Sequence, residues 1–153
     1  MALYSYKLSN TALSTTNDSL GYVAASGRRS YVVEVSVGGM GTASAANEVG
    51  LLRQSSTGTG TANTAVTAVK QNIDVPAAGG VCGTGAFGTA QAVVSTGEFV
   101  TLPVNSNGGL YRWVARPGQE METRGGSSDG VSVRSQVGTG TVTVHMHIAE
   151  DSL

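Results

Sequence analysis

Two stretches of this sequence alternate apolar and polar residues with a period of two, and no other feature constrains the fold as strongly. Residues 141–149 place valine, methionine or isoleucine at every second position up to residue 148, with threonine or histidine between them. Since successive side chains of a strand point to opposite faces, this stretch predicts a strand with one buried face. Residues 30–37 (SYVVEVSV) predict a second such strand. The predicted apolar faces consist of Val142, Val144, Met146 and Ile148 in one strand and of Tyr31, Val33, Val35 and Val37 in the other.

The rest of the chain has the composition of short strands joined by turns. Valine and threonine are abundant and there are 22 glycines, a mixture that favours strands and tight turns over helices. We therefore expect an all-β protein, a jelly-roll or antiparallel β-sandwich of about eight short strands with long loops rich in glycine, serine and threonine. Further strands are predicted at residues 48–54, 89–95, 98–104, 110–115 and 119–124, and residues 65–72 are predicted as a strand in preference to a short helix. Residues 55–64 are predicted as a loop, and residues 76–88 as a long loop or a crossover between sheets.

The length of the chain sets the number of domains. A chain of 153 residues has room for one hydrophobic core but not for two. We expect a single sandwich domain at residues 21–153. Residues 1–20 show weak periodicity but contain Tyr4 and Tyr6, so they are expected to form an N-terminal arm or extended segment that orders on neighbouring subunits.

The charge and hydropathy of the chain argue against two classes of partner. Only 12% of the residues are charged and the net charge is -1, so we do not expect a nucleic acid to bind. No stretch approaches the roughly 18 apolar residues of a membrane span, and the first residues do not resemble a secretion signal. A weakly charged surface favours an assembled state. These features suit a particle that is assembled in the cytoplasm and released later.

Two motifs that could carry chemistry have ordinary structural interpretations. Gly83, Gly85 and Gly88 are spaced as in some phosphate-binding loops, but the helix that must follow such a loop is not predicted. Cys82 is the only cysteine, and no histidine or aspartate is near it in the sequence to activate it. We predict no catalytic residues and no cofactor, so the chain is not expected to be an enzyme.

The best candidate for a metal site is the sequence HMHIAE. His145 and His147 lie two residues apart on a predicted strand, so their imidazoles project from the same face and could share one metal ion in a small metal enzyme. The stretch partly resembles the first metal motif of the cupins, a jelly-roll family with an HxH followed by a glutamate, although Glu150 comes early and no second motif follows. The alternative is a hydrated strand face without a metal.

Residues 109–126 (GLYRWVARPGQEMETRGG) combine arginines with the only tryptophan, Trp113. We interpret them as a β-hairpin with its turn at ARPGQ, because Pro117 fixes φ and Gly118 accepts the positive φ of a type II turn. One face of the hairpin is expected to pack on the core and the other on a neighbouring molecule, where arginine guanidiniums suit carboxylates. The interface candidates are Tyr4, Tyr6, Tyr111, Arg112, Trp113 and Arg116.

The same region resembles a known family. Arg112, Trp113, Val114, Ala115, Pro117, Gly118, Gln119 and Glu120, followed by a Gly-rich turn and by the strand at 142–151, are similar to the carboxyl half of small jelly-roll structural proteins of tailed bacteriophages, especially capsid decoration (cement) proteins. The resemblance covers about the last third of the chain. It implies a homotrimer on the outer capsid surface of the virion that braces the major capsid protein against the pressure of packaged DNA. It implies no catalytic residues.

A different class of function is also open. Glycan- or receptor-binding β-sandwiches of phage fibres and adhesins bind through exposed aromatic side chains in a groove. The candidates in this sequence are Tyr22, Tyr31, Tyr111 and Trp113.

Overall fold

The computed structural model describes residues 1–56, 64–84, 92–124 and 129–151, and these residues form twelve strands and no helix. The prediction of an all-β protein is confirmed, and no helix in the described part of the chain is long and apolar enough to span a membrane. Most of the predicted loop at 55–64, Gly85, Gly88 and the Gly-rich turn at 125–128 lie outside the described residues. The strands are β1 (Ala2–Ala12), β2 (Leu20–Val23), β3 (Ser30–Gly39), β4 (Ala46–Ser56), β5 (Thr64–Val66), β6 (Val69–Lys70), β7 (Val81–Thr84), β8 (Ala92–Asn105), β9 (Leu110–Val114), β10 (Met121–Thr123), β11 (Gly130–Val137) and β12 (Thr141–Glu150).

The strands pair into two antiparallel sheets that face each other across one core. The first sheet has the order β10-β3-β12-β1-β6, and β9 also pairs with β3. The second sheet has the order β5-β7-β2-β11-β4-β8. Buried apolar residues of both sheets form a single cluster, so the predicted β-sandwich is confirmed.

Eight of the described strands have the connectivity of a jelly roll. In the first sheet β1, β12, β3 and β9 are successive neighbours, and in the second sheet β2, β11, β4 and β8 are. Along the chain these eight strands alternate between the sheets, except that β4 and β8 are adjacent in the second. The last two strands, β11 and β12, insert between earlier ones, as in the Greek keys of a jelly roll. The short strands β5, β6 and β7 extend the sheets beside β1 and β2.

The alternation predicted for β12 is confirmed. The residues at its even-numbered positions from 142 to 148 are fully buried, whereas the threonine and the two histidines between them are partly exposed on the outer face. β12 is flanked by β1 and β3 over almost its whole length. Its position in the middle of the sheet explains why its pattern is so regular, since one face packs on the core along the entire strand.

The strand predicted at residues 30–37 is confirmed as β3, but half of its predicted inner face is wrong. Val35 and Val37 are buried as predicted, whereas the third inward residue is Val32 and Val33 is half-exposed. The reason is a bulge: Glu34 of β3 pairs with His147 and Val32 pairs with Ile148, which leaves Val33 without an opposite residue. An extra residue reverses the side-chain alternation on either side of it.

The amino-terminal residues, expected as an arm or extended segment, belong to the sandwich. β1 pairs with β12 along almost its whole length and with β6 near its start. Tyr4 and Tyr6 are each 1% exposed, and the rings of Tyr6 and Tyr22 lie 5.6 Å apart between centroids. The arm interpretation is corrected because aromatic residues at alternate positions of a strand supply the core with a large apolar area.

Two neighbouring strand predictions also need correction. The strands predicted at 89–95 and 98–104 are, within the described residues, one long strand, β8. Its pairing with β4 shifts so that Val93 lies opposite Gln54 but Glu98 lies opposite Leu52. Residues 94–97 of β8 lie between pairs that Arg53 alone separates on β4, so the predicted turn near Gly97 is an irregularity within one strand whose two halves both pair with β4.

The segment from residue 64 to residue 84 passes from one sheet to the other. It contains β5 of the second sheet, β6 of the first sheet and β7 of the second sheet. Residues 65–72 were predicted as one strand, and they contain most of β5 and all of β6 but no helix, so this prediction is confirmed in part. The predicted long loop is shortened by β7. In the part of the loop before β7, Glu150 accepts hydrogen bonds from the N–H groups of Gly79 and Gly80 at 2.9 and 3.0 Å.

A buried ion pair joins Arg134 of β11 to Asp18, which precedes β2. Nε and Nη2 of Arg134 donate to Oδ1 of Asp18 at 2.9 and 2.6 Å. The other carboxylate oxygen of Asp18 accepts from Ser132 Oγ at 2.8 Å and from Gln54 Nε2 at 3.3 Å. The Asp18 and Arg134 side chains are 0% and 8% exposed, so this cluster satisfies charges that are almost entirely removed from water.

Candidate functional site

The predicted hairpin at residues 110–124 is instead an edge strand interrupted by a loop. β9 pairs with residues 34–38 of β3, and β10 pairs with residues 30–32 of the same strand. β9 and β10 therefore lie end to end along β3 rather than side by side, and residues 115–120 leave the sheet between them. The hairpin prediction is wrong because β9 and β10 each pair with β3, over five and three residues, and not with each other.

The turn within that loop is confirmed. The Gln119 N–H donates to the carbonyl of Arg116 at 2.8 Å, and Gly118 has a φ of 80°. Pro117 and Gly118 thus occupy the two central positions of a type II turn. Arg116 and Gln119 are exposed on either side of them.

A cleft lies between this interrupted strand and β8, the neighbouring edge strand of the second sheet. Phe99 of β8 and Trp113 of β9 are in contact there, with 5.4 Å between ring centroids and 84° between ring planes. The cleft has a volume of about 620 Å³. We call it the Trp113 cleft, and its lining residues are Phe99, Trp113, Val114, Arg116, Gln119 and Glu120.

Alternate residues of β9 face in opposite directions. Tyr111 and Trp113 are half-buried and pack against the core. Leu110, Arg112 and Val114 are exposed. The predicted core contact of Trp113 is therefore confirmed, while its contact with a neighbouring molecule stays a prediction.

The two arginines predicted at the interface have different surroundings. Arg112 is exposed, and its Nε and Nη2 each donate to one carboxylate oxygen of Glu34 at 2.6 Å. This bidentate hydrogen bonding lowers the pKa of Glu34 because it favours the ionised carboxylate. Arg112 therefore already has a carboxylate partner within the chain, whereas Arg116 is exposed at the Trp113 cleft.

Tyr4 and Tyr6 were predicted as interface residues, and the structure places them elsewhere. Both side chains are buried in the core, and the Tyr4 hydroxyl donates to the carbonyl of Pro76 at 2.9 Å. Burial raises the pKa of both hydroxyls. Neither ring can contact a partner while β1 is in the sheet.

His145 and His147 share the outer face of the first sheet, as the metal hypothesis requires. Lys7 lies opposite His145, and Ser5 and Glu34 lie opposite His147 on the two neighbouring strands. Burial and the nearby Lys7 lower the pKa of His145. The described residues contain no cluster of three or more histidine, cysteine, aspartate or glutamate side chains suited to a metal ion, and the charge of Lys7 disfavours a cation beside His145.

Cys82 has the surroundings of a structural cysteine. It lies in β7 opposite Tyr22 and is 1% exposed. Burial raises the pKa of its thiol, so the thiolate needed for nucleophilic attack is disfavoured. Both histidines lie on the outer face of the other sheet. Gly83 belongs to the same strand, where it pairs with Gly21.

Phe99 is the residue of this site that sequence reasoning missed. The alternation of residues 98–104 places Val100, Leu102 and Val104 on one face, which leaves Phe99 on the other face as a large aromatic residue. The structure places Phe99 at 46% exposure. An aromatic side chain at an outward position of a predicted strand was the available signal.

Comparison with protein-family models, curated proteins and solved structures finds no match to this chain. The site is therefore interpreted from its own chemistry. Of the four aromatic residues proposed to bind a glycan, Tyr22 is fully buried and does not reach the surface.

Proposed function

We propose that this protein is a structural virion protein that decorates and stabilises a bacteriophage capsid by binding the major capsid protein and other copies of itself. The observation that carries this proposal is the Trp113 cleft, where aromatic and aliphatic side chains and an exposed arginine lie together at one edge of the sandwich. Tryptophan and arginine are enriched among the residues that dominate the energy of protein–protein binding.

The chemistry of the cleft suits contact with a protein surface. Phe99 and Val114 are 46% and 51% exposed, and covering them removes apolar area from water, which stabilises by about 25 cal/mol per Å². Arg116 lies beside them and can pair with a carboxylate of the partner through its planar guanidinium. An apolar centre with a charged rim is the usual composition of such an interface.

The jelly-roll fold suits a subunit that is used in many copies. A capsid presents many identical sites, so modest contacts add up to strong binding when several copies are linked. The resemblance of residues 112–120 and 142–151 to capsid decoration proteins supports a homotrimer on the outer capsid surface, assembled in the host cytoplasm. This function needs no cofactor, nucleic acid or membrane.

Binding to capsids tests the proposal. Purified protein is mixed with capsids of the encoding phage that were assembled without it, and the bound fraction is measured by co-sedimentation. Arg116→Glu reverses the exposed charge at the cleft. Arg124→Glu is the matched control, because Arg124 is also exposed but follows β10, where its Nε donates to Glu122.

We expect the wild-type protein and the control to bind, and the Arg116→Glu variant to bind about ten-fold more weakly, which corresponds to roughly 1.4 kcal/mol. Light scattering of the free protein should give the mass of a trimer. A wild-type protein that stays in the supernatant overturns the proposal. Equal binding by both charge-reversal variants would show that the contact lies outside the Trp113 cleft.

A further inference from the structure

Among the described strands only β3 pairs with β9, so the outer edge of β9 can pair with another strand. Sheets usually protect their edges with prolines, bulges or short strands. On this molecule β8 contains Pro103, β1 has a bulge between Leu8 and Thr11, and β5 and β6 have three and two residues. β9 has five residues, and its pairing with β3 shows neither a proline nor a register shift. Among the described edges it is the longest one without such protection.

The hydrogen-bond register identifies the main-chain groups that point outward from β9. The Ala115 N–H donates to the carbonyl of Val33 at 2.9 Å, and the Gly39 N–H donates to the carbonyl of Gly109 at 3.2 Å. Odd-numbered residues of this segment therefore bond to β3. Since N–H and C=O groups alternate in direction along a strand, those of Leu110, Arg112 and Val114 point away from the sheet.

We infer that β9 binds β9 of a second copy of this chain, antiparallel, about a two-fold axis at Arg112. In this register Leu110 lies opposite Val114 of the second copy, Arg112 lies opposite its own equivalent, and Val114 lies opposite Leu110. Every outward-pointing group then meets an outward-pointing group, with two hydrogen bonds for each of the three pairs. The first sheets of the two copies become one continuous sheet.

The side chains fit the same register. On the outer face Leu110 and Val114 are 71% and 51% exposed, and each covers the other across the axis. On the opposite face Tyr111 lies opposite Trp113 of the second copy, an aromatic cross-strand pair of the kind that stabilises sheets. The two Arg112 side chains approach each other, but each is held by its own Glu34, so the four groups together carry no net charge.

A two-fold axis at Arg112 fits this edge better than an axis at a neighbouring residue. Moving the axis to residue 111 or 113 loses one of the three pairs and places Arg112 opposite an aliphatic residue. Beyond Leu110 the second copy continues with Gly109 and Gly108, which have no side chains to collide with Ala115 and Arg116. A two-fold contact is also closed, because each copy contributes its β9 edge and neither β9 edge is then available to a third copy.

This inference rests on the self-association in the proposed function but not on capsid binding. A two-fold contact cannot close a trimer, so in a trimeric protein it joins copies that belong to neighbouring trimers.

Disulfide trapping tests the register. Residues that face each other in a hydrogen-bonded antiparallel pair have Cα atoms about 5.5 Å apart, which is within the range of a disulfide. Leu110→Cys and Val114→Cys are made separately in the full chain, at exposed positions that leave Arg112 and Glu34 intact. The native Cys82 is buried and stays unreactive under mild oxidation.

We expect an equimolar mixture of the two variants to form a covalent dimer on oxidation, whereas each variant alone does not. In the single variants the two cysteines lie four residues apart along the strand, about 13 Å. Cross-linking of either variant alone to the same extent as the mixture overturns the register. Absence of cross-linking in the mixture, with circular dichroism of the native fold, overturns the contact. Capsid binding by the wild-type protein, which keeps Val114 at the Trp113 cleft, leaves the proposed function in place in that case.

Discussion

The rings of Phe99 and Trp113 join the two sheets at one edge of the sandwich, with their centroids 5.4 Å apart and their planes inclined by 84°. Phe99 belongs to the second sheet and Trp113 to the first. No ladder joins the two sheets among the described strands, so side-chain contacts such as this one hold β8 and β9 together. The same two rings form part of the Trp113 cleft, so under the proposed function both stability and capsid binding depend on them.

Removing these rings should destabilise the fold in a coupled way. We expect Trp113→Ala to lower the free energy of unfolding by about 2–3 kcal/mol, less than for a fully buried ring, and Phe99→Ala by about 1 kcal/mol. The double variant should lose about 1 kcal/mol less than the sum, because edge-to-face rings attract each other beyond their buried area. Urea unfolding followed by circular dichroism measures all three. Ile73→Ala, at a position that is 86% exposed and outside β8 and β9, is the control and should change stability by less than about 0.5 kcal/mol. Strict additivity of the two ring substitutions would contradict the coupling.

Loss of the hydroxyl group should change the free energy of unfolding differently at the two buried tyrosines of β1. Tyr4→Phe removes the hydrogen bond to the Pro76 carbonyl and should cost about 1 kcal/mol of unfolding free energy. The Tyr6 hydroxyl is buried and has no hydrogen-bond partner among the described residues, so Tyr6→Phe should be neutral or slightly stabilising. Each variant serves as the control for the other, since both keep the ring. A larger loss for Tyr6→Phe than for Tyr4→Phe in chemical denaturation would show that this assignment is wrong.

The Asp18–Arg134 pair should be costly to break from one side only. Asp18→Ala removes the carboxylate that accepts hydrogen bonds from Arg134 Nε and Nη2 in a buried site, and we expect a loss of about 3–5 kcal/mol. Arg134→Met should cost a similar amount, because the carboxylate is then the uncompensated charge. The double variant should be more stable than the sum of the two losses indicates, and thermal unfolding of the four proteins tests this. Two independent, additive effects would mean that the charges do not depend on each other.

His145 should titrate below its ordinary pKa of about 6.5. Burial, Lys7 and His147 lower this pKa and Glu34 acts against them. The unfolded chain therefore binds the proton more readily, and stability should fall as the pH decreases from about 6.5 through the lowered pKa of His145.

NMR titration of the His145 ring should show an increase in its pKa in Lys7→Gln and a further decrease in Glu34→Gln. Lys70→Gln is the control, because Lys70 lies opposite Tyr4 and not opposite His145. A His145 pKa that is the same in all these variants would contradict the electrostatic account.

Local features were predictable where one residue and its near neighbours decide the conformation. The inner face of β12 follows from its alternation, and the turn at Pro117–Gly118 follows from the φ values that these two residues accept. The inner face of β3 was predicted only in part, because the bulge at Val33 depends on the register with β12. In the candidate site Trp113, Arg112 and Arg116 were identified from the sequence, whereas Phe99 was not, because its contact with Trp113 joins two strands that the sequence does not relate.

By itself the sequence determined that this chain forms strands and where most of them lie, because side-chain period and turn chemistry act over a few residues. Only the tertiary structure decided which strands pair. It places β1 beside β12, although more than a hundred residues separate them in the chain, and this buries Tyr4 and Tyr6 instead of leaving them for a partner. It also pairs β9 and β10 with β3, end to end, and this arrangement forms the Trp113 cleft and leaves the outer edge of β9 exposed. Pairing of distant strands is decided by competition for burial and for main-chain hydrogen bonds across the whole molecule, and no local pattern records its outcome.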